Sequence, residues 1–263
     1  MPLNICRKNE KPPMSVQYEI IDNVAVFSFD NGELNVVTMA MWKQFYHHFL
    51  SFQQNDNVSV GVLCGKGKNF SAGDDLKEIR EEQWALTSTR WDHLLYSARR
   101  KKPLVAAMTG YALGGGFLCA MSLTDIRVAG HSLIAGAPEI AYGFGGISGV
   151  TKLASHLAPV DAAYLALTGE KINAESALSM RMVNEVVDDD KCFDRAIEIA
   201  KLIARHPRQA VETELDCLHR GMELSRPEAY HYSNAQYWLS RKLLGDNPNT
   251  GSQAIETMKK NKP

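Results

Sequence analysis

The sequence predicts an α/β fold with a largely parallel sheet, followed by a helical C-terminal part. Three observations predict it. Strand-like and helix-like stretches alternate from residue 16 to residue 135. Two glycine turns each follow a predicted strand and open a helix. From about residue 147 the pattern is mainly helical, and the composition shifts near residue 200. The chain has 263 residues, 45% of them hydrophobic and 22% charged, which suits one large domain with a small appendage. We divide it into a loose tail (1–14), an α/β core (15–200) and a C-terminal helical subdomain (201–263).

The elements follow in order. Residues 16–21 and 24–29 read as strands joined by the tight-turn pair Asp22-Asn23. Thr38 is placed to cap a helix over 39–52, in which Met41, Phe45, Phe49 and Phe52 recur at helical spacing. Residues 58–64 read as a buried strand and 65–73 as a glycine- and lysine-rich loop. A helix is expected over 76–100, with a break near 87–89, and a buried strand over 104–108. After the glycine turn and its helix come short strands at 126–129 and 132–135. The later part is helical apart from a strand at 183–187, and it ends in amphipathic helices at about 207–224 and 227–243 that open near Pro207 and Pro227.

Composition excludes several classes. The 29 basic and 30 acidic residues leave a net charge of −1, and no polybasic arm is present, so a nucleic-acid partner is not expected. The short basic groups 99–102 and Lys259-Lys260 read as solvated helix ends, although a phosphate-bearing ligand needs something of this kind. Cys6, Cys64, Cys119, Cys192 and Cys217 show neither a CxxC pair nor a metal-ligand spacing. They read as free thiols in a reducing compartment, and no metal is expected. The N-terminus lacks the apolar core of a signal peptide, and the most apolar stretch, 104–121, carries several glycines and is bounded by charge. We therefore expect a cytoplasmic protein with no membrane partner.

The chemistry concentrates in the run 110–130. A tight turn, Gly114-Gly115-Gly116 and a short apolar helix place bare N–H groups at a helix N-terminus, where they can hold a negative oxygen. Nine residues on stands Glu139, a lone carboxylate in an apolar stretch. Ala137, Pro138, Ile140 and Ala141 around it suggest desolvation, which raises a carboxyl pKa toward the range of a working base. The other reading of Glu139 is a buried structural residue at a strand end, and of the glycines, close helix packing.

Four segments taken together resemble the crotonase (enoyl-CoA hydratase/isomerase) superfamily. They are NFSAGDDLKEI (69–79), KPLVAAMTGYALGGG (102–116), APEIAYG around Glu139, and LTGEKINAESALSMRMVNEVV (167–187). They stand in family order at family-like separations, and the likeness runs from about residue 16 to 258. It implies a spiral of ββα turns, a C-terminal helical region that forms a homotrimer or a dimer of trimers, and an acyl-CoA thioester substrate. Coenzyme A then enters as part of the substrate, with no cofactor bound permanently. It implies an oxyanion hole made by the backbone N–H groups of Asp74 and Gly115, with Glu139 as acid and base. It also implies substrate contacts from Asn35, Val37, Ser71, Ala72, Leu118 and Tyr142, with Lys259 and Lys260 near the phosphates.

The chain departs from the family at two places. Asp74 stands where a small or apolar residue is usual, and its carboxylate opposes an oxyanion unless it points away. Asp75 matches a family aspartate and reads as a helix-start residue on the favourable end of the dipole; Asp125 is read the same way. The second departure concerns acid–base chemistry. Family hydratases use two glutamates, and the one after the glycine triplet falls here on Leu118 or Cys119. A single glutamate suits double-bond isomerisation, because one base can move a proton between two carbons. Isomerisation of an enoyl-CoA is thus the first expectation and hydration or dehydration the second. A catalytically impaired acyl-CoA-binding scaffold is the reading from another class. Replacements for the lost carboxylate are sought among Tyr142, Ser148, Glu78, Glu81, Glu82, Tyr230, Tyr232 and Tyr237, with Cys119 as a remote nucleophile. Trp84 and Trp91 stand where the helix after Asp74 shapes the acyl pocket.

Overall fold

The structure is a computed structural model that describes residues 14–80, 90–94, 100–145 and 149–244. Glu81, Glu82, Trp84, Ser148, Lys259, Lys260 and Cys6 lie outside the described residues, as do the tail 1–13 and most of the helix expected over 76–100. The chain divides into two compact units between Arg205 and His206.

In the first unit a six-stranded sheet has the order β1-β2-β3-β4-β6-β9. Strands β1 (Ser15–Ile21) and β2 (Val24–Asp30) form an antiparallel hairpin, with Asp22 at φ 56° in its turn. Every later pairing in this sheet is parallel, through β3 (Val60–Gly65), β4 (Leu104–Met108), β6 (Ile126–Gly130) and β9 (Glu185–Val187). A second sheet of three short strands, β5 (Tyr111–Leu113), β7 (Ile134–Gly136) and β8 (Ile172–Asn173), runs in the order β5-β7-β8. Local pattern missed β5 and β8. Strands of two or three residues carry no usable alternation, and their partners lie far away in sequence.

Period-two alternation sends each central strand's side chains into two cores. On one side Ala25, Phe27, Phe29, Leu63, Leu104, Ala106 and Met108 pack toward α1 (Met39–Gln54). The Thr38 hydroxyl accepts from Met41 N–H at 3.3 Å, the expected cap. Met41, Trp42, Phe45, Phe49 and Phe52 bury one stripe of α1, and Trp42 and Phe45 meet Phe29 and Phe27 with ring centroids 5.7 Å apart in each pair. On the other side Val24, Val26, Val60, Val62, Val105 and Val128 pack against Cys192, Ala196 and Ala200 of α7 (Cys192–Ala204).

Between these lie α2 (Leu76–Arg80), α3 (Gly114–Leu123), α4 (Val150–His156), α5 (Pro159–Thr168) and α6 (Ala174–Ser179). Helix α3 is apolar on every side and entirely buried. The second unit contains α8 (Arg208–Gly221) and α9 (Arg226–Leu244), close to the two amphipathic helices expected.

Two expectations about charge are corrected. Asp125 is not at a helix start: it follows Thr124, the C-cap of α3, where the dipole disfavours a carboxylate. The Arg100 guanidinium holds it instead, at 2.6 and 3.0 Å, and it accepts from Leu104 N–H at 2.9 Å. The basic group before β4 is not a solvated helix end either. Lys102 is fully buried, and its ammonium donates to Phe52 O at 2.6 Å at the end of α1. Among the described residues no helix is long and apolar enough to cross a membrane, and no group of three His, Cys, Asp or Glu is gathered as metal ligands are.

Candidate active site

The site is assembled where three segments meet: the loop 34–37 before α1, the loop 69–75 after β3, and the turn from β5 into α3. Backbone pairing fixes their register. Val37 N–H donates to Gly73 O at 2.8 Å, and Asp75 N–H donates to Val37 O at 3.0 Å. Ser71 N–H donates to Tyr111 O at 2.8 Å, and Leu113 N–H donates to Ser71 O at 2.9 Å. Asn35, at φ 47° and fully buried, is the clamp. Its amide donates to Lys66 O and Asn69 O at 2.9 and 2.6 Å, and its carbonyl accepts from Asn31 N–H at 3.0 Å. The Ser71 hydroxyl donates to Asn35 O at 2.8 Å and accepts from Gly73 N–H at 3.0 Å. Ala72 N–H donates to Leu34 O at 2.8 Å. Of the residues implied as substrate contacts, Asn35 and Ser71 thus spend their side chains inside the protein, and Val37 is buried.

These ties bring the two glycine turns into contact. Gly73 has φ +97°, and a Cβ there would stand 2.8 Å from Leu113 O and 3.4 Å from the Cα of Gly114. Only glycine satisfies both the backbone and the space. Helix α3 begins at Gly114 with no side-chain cap, so the first-turn N–H groups, Gly115 among them, have no intrahelical acceptor. Among the described residues no hydrogen bond uses the Asp74 N–H.

Glu139 reaches the same point from the 3-10 turn Pro138–Tyr142. A Cβ on Gly114 would lie 3.2 Å from its Oε1, while its buried Oε2 has no hydrogen-bond partner. Burial pushes its carboxyl up to about 7, and the Asp74 carboxylate adds to the rise. Tyr142, on the same turn, is exposed.

The Asp74 side chain is 8% exposed. Trp42 Nε1–H donates to its Oδ1 at 2.6 Å, and an Arg90 nitrogen stands 3.6 Å from its Oδ2. Burial pushes this carboxyl up to about 6, against the opposing pull of Arg90 and Trp42; Asp92 and Glu78 add to the rise. Sequence reasoning missed Trp42, Arg90 and Asp92. Trp42 stands three residues before Phe45 on the buried stripe of α1, and its indole N–H was the available signal.

Other candidates fall elsewhere. Leu118 and Cys119 are fully buried, and desolvation drives the Cys119 thiol well above its ordinary pKa, so it is no nucleophile. Glu78 accepts from Met39 N–H at 2.7 Å and serves the start of α1. Asp75 accepts from Lys77 N–H at 2.8 Å at the start of α2, the expected role. Trp91 is buried in the core with α1. In the second unit, Tyr230 and Tyr237 are exposed, and the Tyr232 hydroxyl bonds Asp216. The described cysteines Cys64, Cys119, Cys192 and Cys217 are free thiols.

A profile of enoyl-CoA hydratase/isomerase proteins matches residues 19–256. The chain belongs to the enoyl-CoA hydratase/isomerase family. The chain is similar to a mevalonyl-coenzyme A hydratase of Aspergillus fumigatus, 30% identical over 234 residues that cover 87% of this chain and 86% of that one. It is 31% identical over 194 residues to the 2,3-dehydroadipyl-CoA hydratase of Escherichia coli, covering 73% and 76% of the two chains. Among solved structures, an enoyl-CoA hydratase subunit I of Geobacillus kaustophilus superposes with a TM-score of 0.83 at 25% identity, over 94% of this chain and 96% of that one. The enoyl-CoA hydratase/isomerase family member described here is therefore an acyl-CoA enzyme with the crotonase fold. The names of its relatives favour hydratases over isomerases.

Proposed function

We propose that this site holds the thioester oxygen of an enoyl-CoA between the N–H groups of Asp74 and Gly115, and that Glu139 moves the proton at the acyl α-carbon. One observation carries the reading. The Glu139 carboxyl lies against Gly114, at the junction of two turns in which, among the described residues, no hydrogen bond uses the Asp74 N–H and no side chain caps the first turn that holds the Gly115 N–H. Charge that develops on the thioester oxygen is stabilised by donors already in place. A carboxyl held at about 7 is divided between its acid and base forms near neutral pH, as a proton shuttle requires. The coenzyme A moiety is assigned to the loop 35–37 and the backbone of Ser71-Ala72, and trimer formation to the C-terminal helices. The apolar residues Trp238, Leu239 and Leu243 exposed on α9 support the latter.

Reversible addition of water to an enoyl-CoA is the reaction we assign, in line with the hydratases among the relatives. Isomerisation is the second reading, favoured by Leu118 and Cys119, which bring no carboxylate to α3. The test is a panel of trans-2- and trans-3-enoyl-CoAs with solvent-deuterium exchange at the α-carbon. Hydration of a trans-2 member, lost about 100-fold or more in Glu139→Gln, is the expected result. Glu139→Gln that turns over within about threefold of wild type overturns the assignment.

A further inference from the structure

Water addition needs a group that takes the water proton as well as one that protonates carbon, and α3 provides none. Where Leu118 stands, a carboxylate on a helix would project back toward the N-terminus, over the turn before its own Cα. Gly115 lies three residues earlier, on the same helix face. That place is already filled. A Cβ on Gly115 would fall 2.3 Å from Asp74 Oδ2 and 2.5 Å from Oδ1 and Cγ. The charge of Asp74 is also felt at Cys119, the other position in register with the lost glutamate, and at Glu139.

We propose that Asp74 supplies from the loop the second carboxyl that α3 lacks, and acts with Glu139 in adding water to the enoyl thioester. The inference rests on the functional reading above. Asp74 then has two separate roles. Its N–H holds the thioester oxygen, and its side chain lies against Gly115, the residue next to the Gly114 against which Glu139 lies.

The Asp74 carboxylate takes a proton from water as the water oxygen bonds to the β-carbon. The π electron pair moves through the α-carbon to the thioester oxygen, forming the enolate. Glu139 in its acid form then gives its proton to the α-carbon, and the proton on Asp74 passes through solvent to restore Glu139. Trp42 Nε1–H, at 2.6 Å, and Arg90, at 3.6 Å, hold the Asp74 carboxyl in place and offset its charge, so that it does not simply oppose the oxyanion beside it. The pKa of about 6 leaves it ionised at neutral pH and still basic enough to accept a proton.

The experiment compares Asp74→Asn, Asp74→Glu and Glu139→Gln on the full chain. One readout is hydration of crotonyl-CoA and longer trans-2-enoyl-CoAs. The other is α-proton exchange of butyryl-CoA in deuterium oxide, which needs the oxyanion donors and Glu139 but no water addition. Asp74→Asn keeps the backbone N–H and the shape. It is expected to lose hydration by about 100-fold or more and at least about tenfold more than it loses exchange, and Asp74→Glu is expected to restore part of the hydration. Hydration by Asp74→Asn within about threefold of wild type, with Glu139→Gln inactive, overturns the role of Asp74 and leaves that of Glu139 standing. Equal loss of hydration and exchange in Asp74→Asn, or exchange without hydration in the wild type, also overturns it. A wild type that does neither overturns the functional reading and this inference together. Thermal melts of each variant separate chemistry from loss of fold.

Discussion

The Asp74 carboxyl lies directly against the Cα of Gly115, so a methyl group at position 115 would fall 2.3 Å from Asp74 Oδ2. Two loops far apart in sequence therefore meet through a carboxylate on one side and a bare backbone on the other. The relationship explains why the middle residue of the triplet must be glycine, apart from any need for φ. Gly115→Ala is expected to displace the Asp74 carboxyl, weaken its bond to Trp42 and destabilise the fold by about 1–3 kcal/mol, the usual range for overpacking. Denaturant titration measures the loss. A stability change under about 0.5 kcal/mol would show that the carboxyl moves aside freely.

Trp42→Phe keeps an aromatic ring in the stripe of α1 and removes the indole N–H that donates to Asp74 Oδ1. Losing a hydrogen bond to a charged, nearly buried group is expected to cost about 1–3 kcal/mol. The pKa of Asp74 rises, because one of the two groups that hold it down is gone. The alkaline shift of that titration, followed by carbon-13 NMR of labelled aspartate, is the check; an unmoved pKa contradicts the role of Trp42.

Glu139 carries a stability penalty with a definite sign. Its folded pKa, about 7, lies above the ordinary 4.5. Between those values the folded state holds the proton more tightly than the unfolded state, so stability falls as pH rises from about 4.5 to about 7 and then levels off. Glu139→Gln removes this dependence. The variant is expected to gain on the order of 1–3 kcal/mol over wild type above pH 7 and little below pH 4.5. Thermal melts across that range test it. Asp74, raised to about 6, adds a penalty of the same sign in wild type and variant alike.

Asn35→Ala removes two hydrogen bonds that tie the loop 31–36 to the loop 66–69 and a third, from Asn31 N–H, within the first loop. It also places alanine at φ 47°, a region asparagine tolerates far better. A loss of about 2–4 kcal/mol is expected, together with a large fall in activity, because the Gly73 turn loses its support. Normal activity at unchanged stability would remove Asn35 as the clamp.

The exposed Trp238 and Leu243 on α9 give the self-association proposal its own test. Trp238→Glu with Leu243→Glu is expected to shift the mass measured by light scattering from a trimer or larger assembly to the 29.2 kDa single chain. A wild type that already runs at that mass contradicts the proposal.

By itself the sequence determined the α/β alternation, the parallel strands, the aromatic stripe of α1 with its Thr38 cap, the two glycine turns and Glu139. These are local signals: period, cap, turn chemistry, and a lone carboxylate among apolar neighbours. It also showed that α3 carries no carboxylate, and from this the expectation leaned toward isomerisation. Only the tertiary structure decided where the Asp74 carboxyl goes. A side chain's direction depends on what packs around it, here Trp42 from α1, Arg90 beyond α2 and the bare face of Gly115 on α3, and none of these neighbours can be read from the residues beside Asp74. For the same reason Asn35 and Ser71 proved to be internal ties and Asp125 a partner of Arg100. Their hydrogen-bonding capacity is visible in the sequence, but their partners are set by loops that meet only when the sheet has formed.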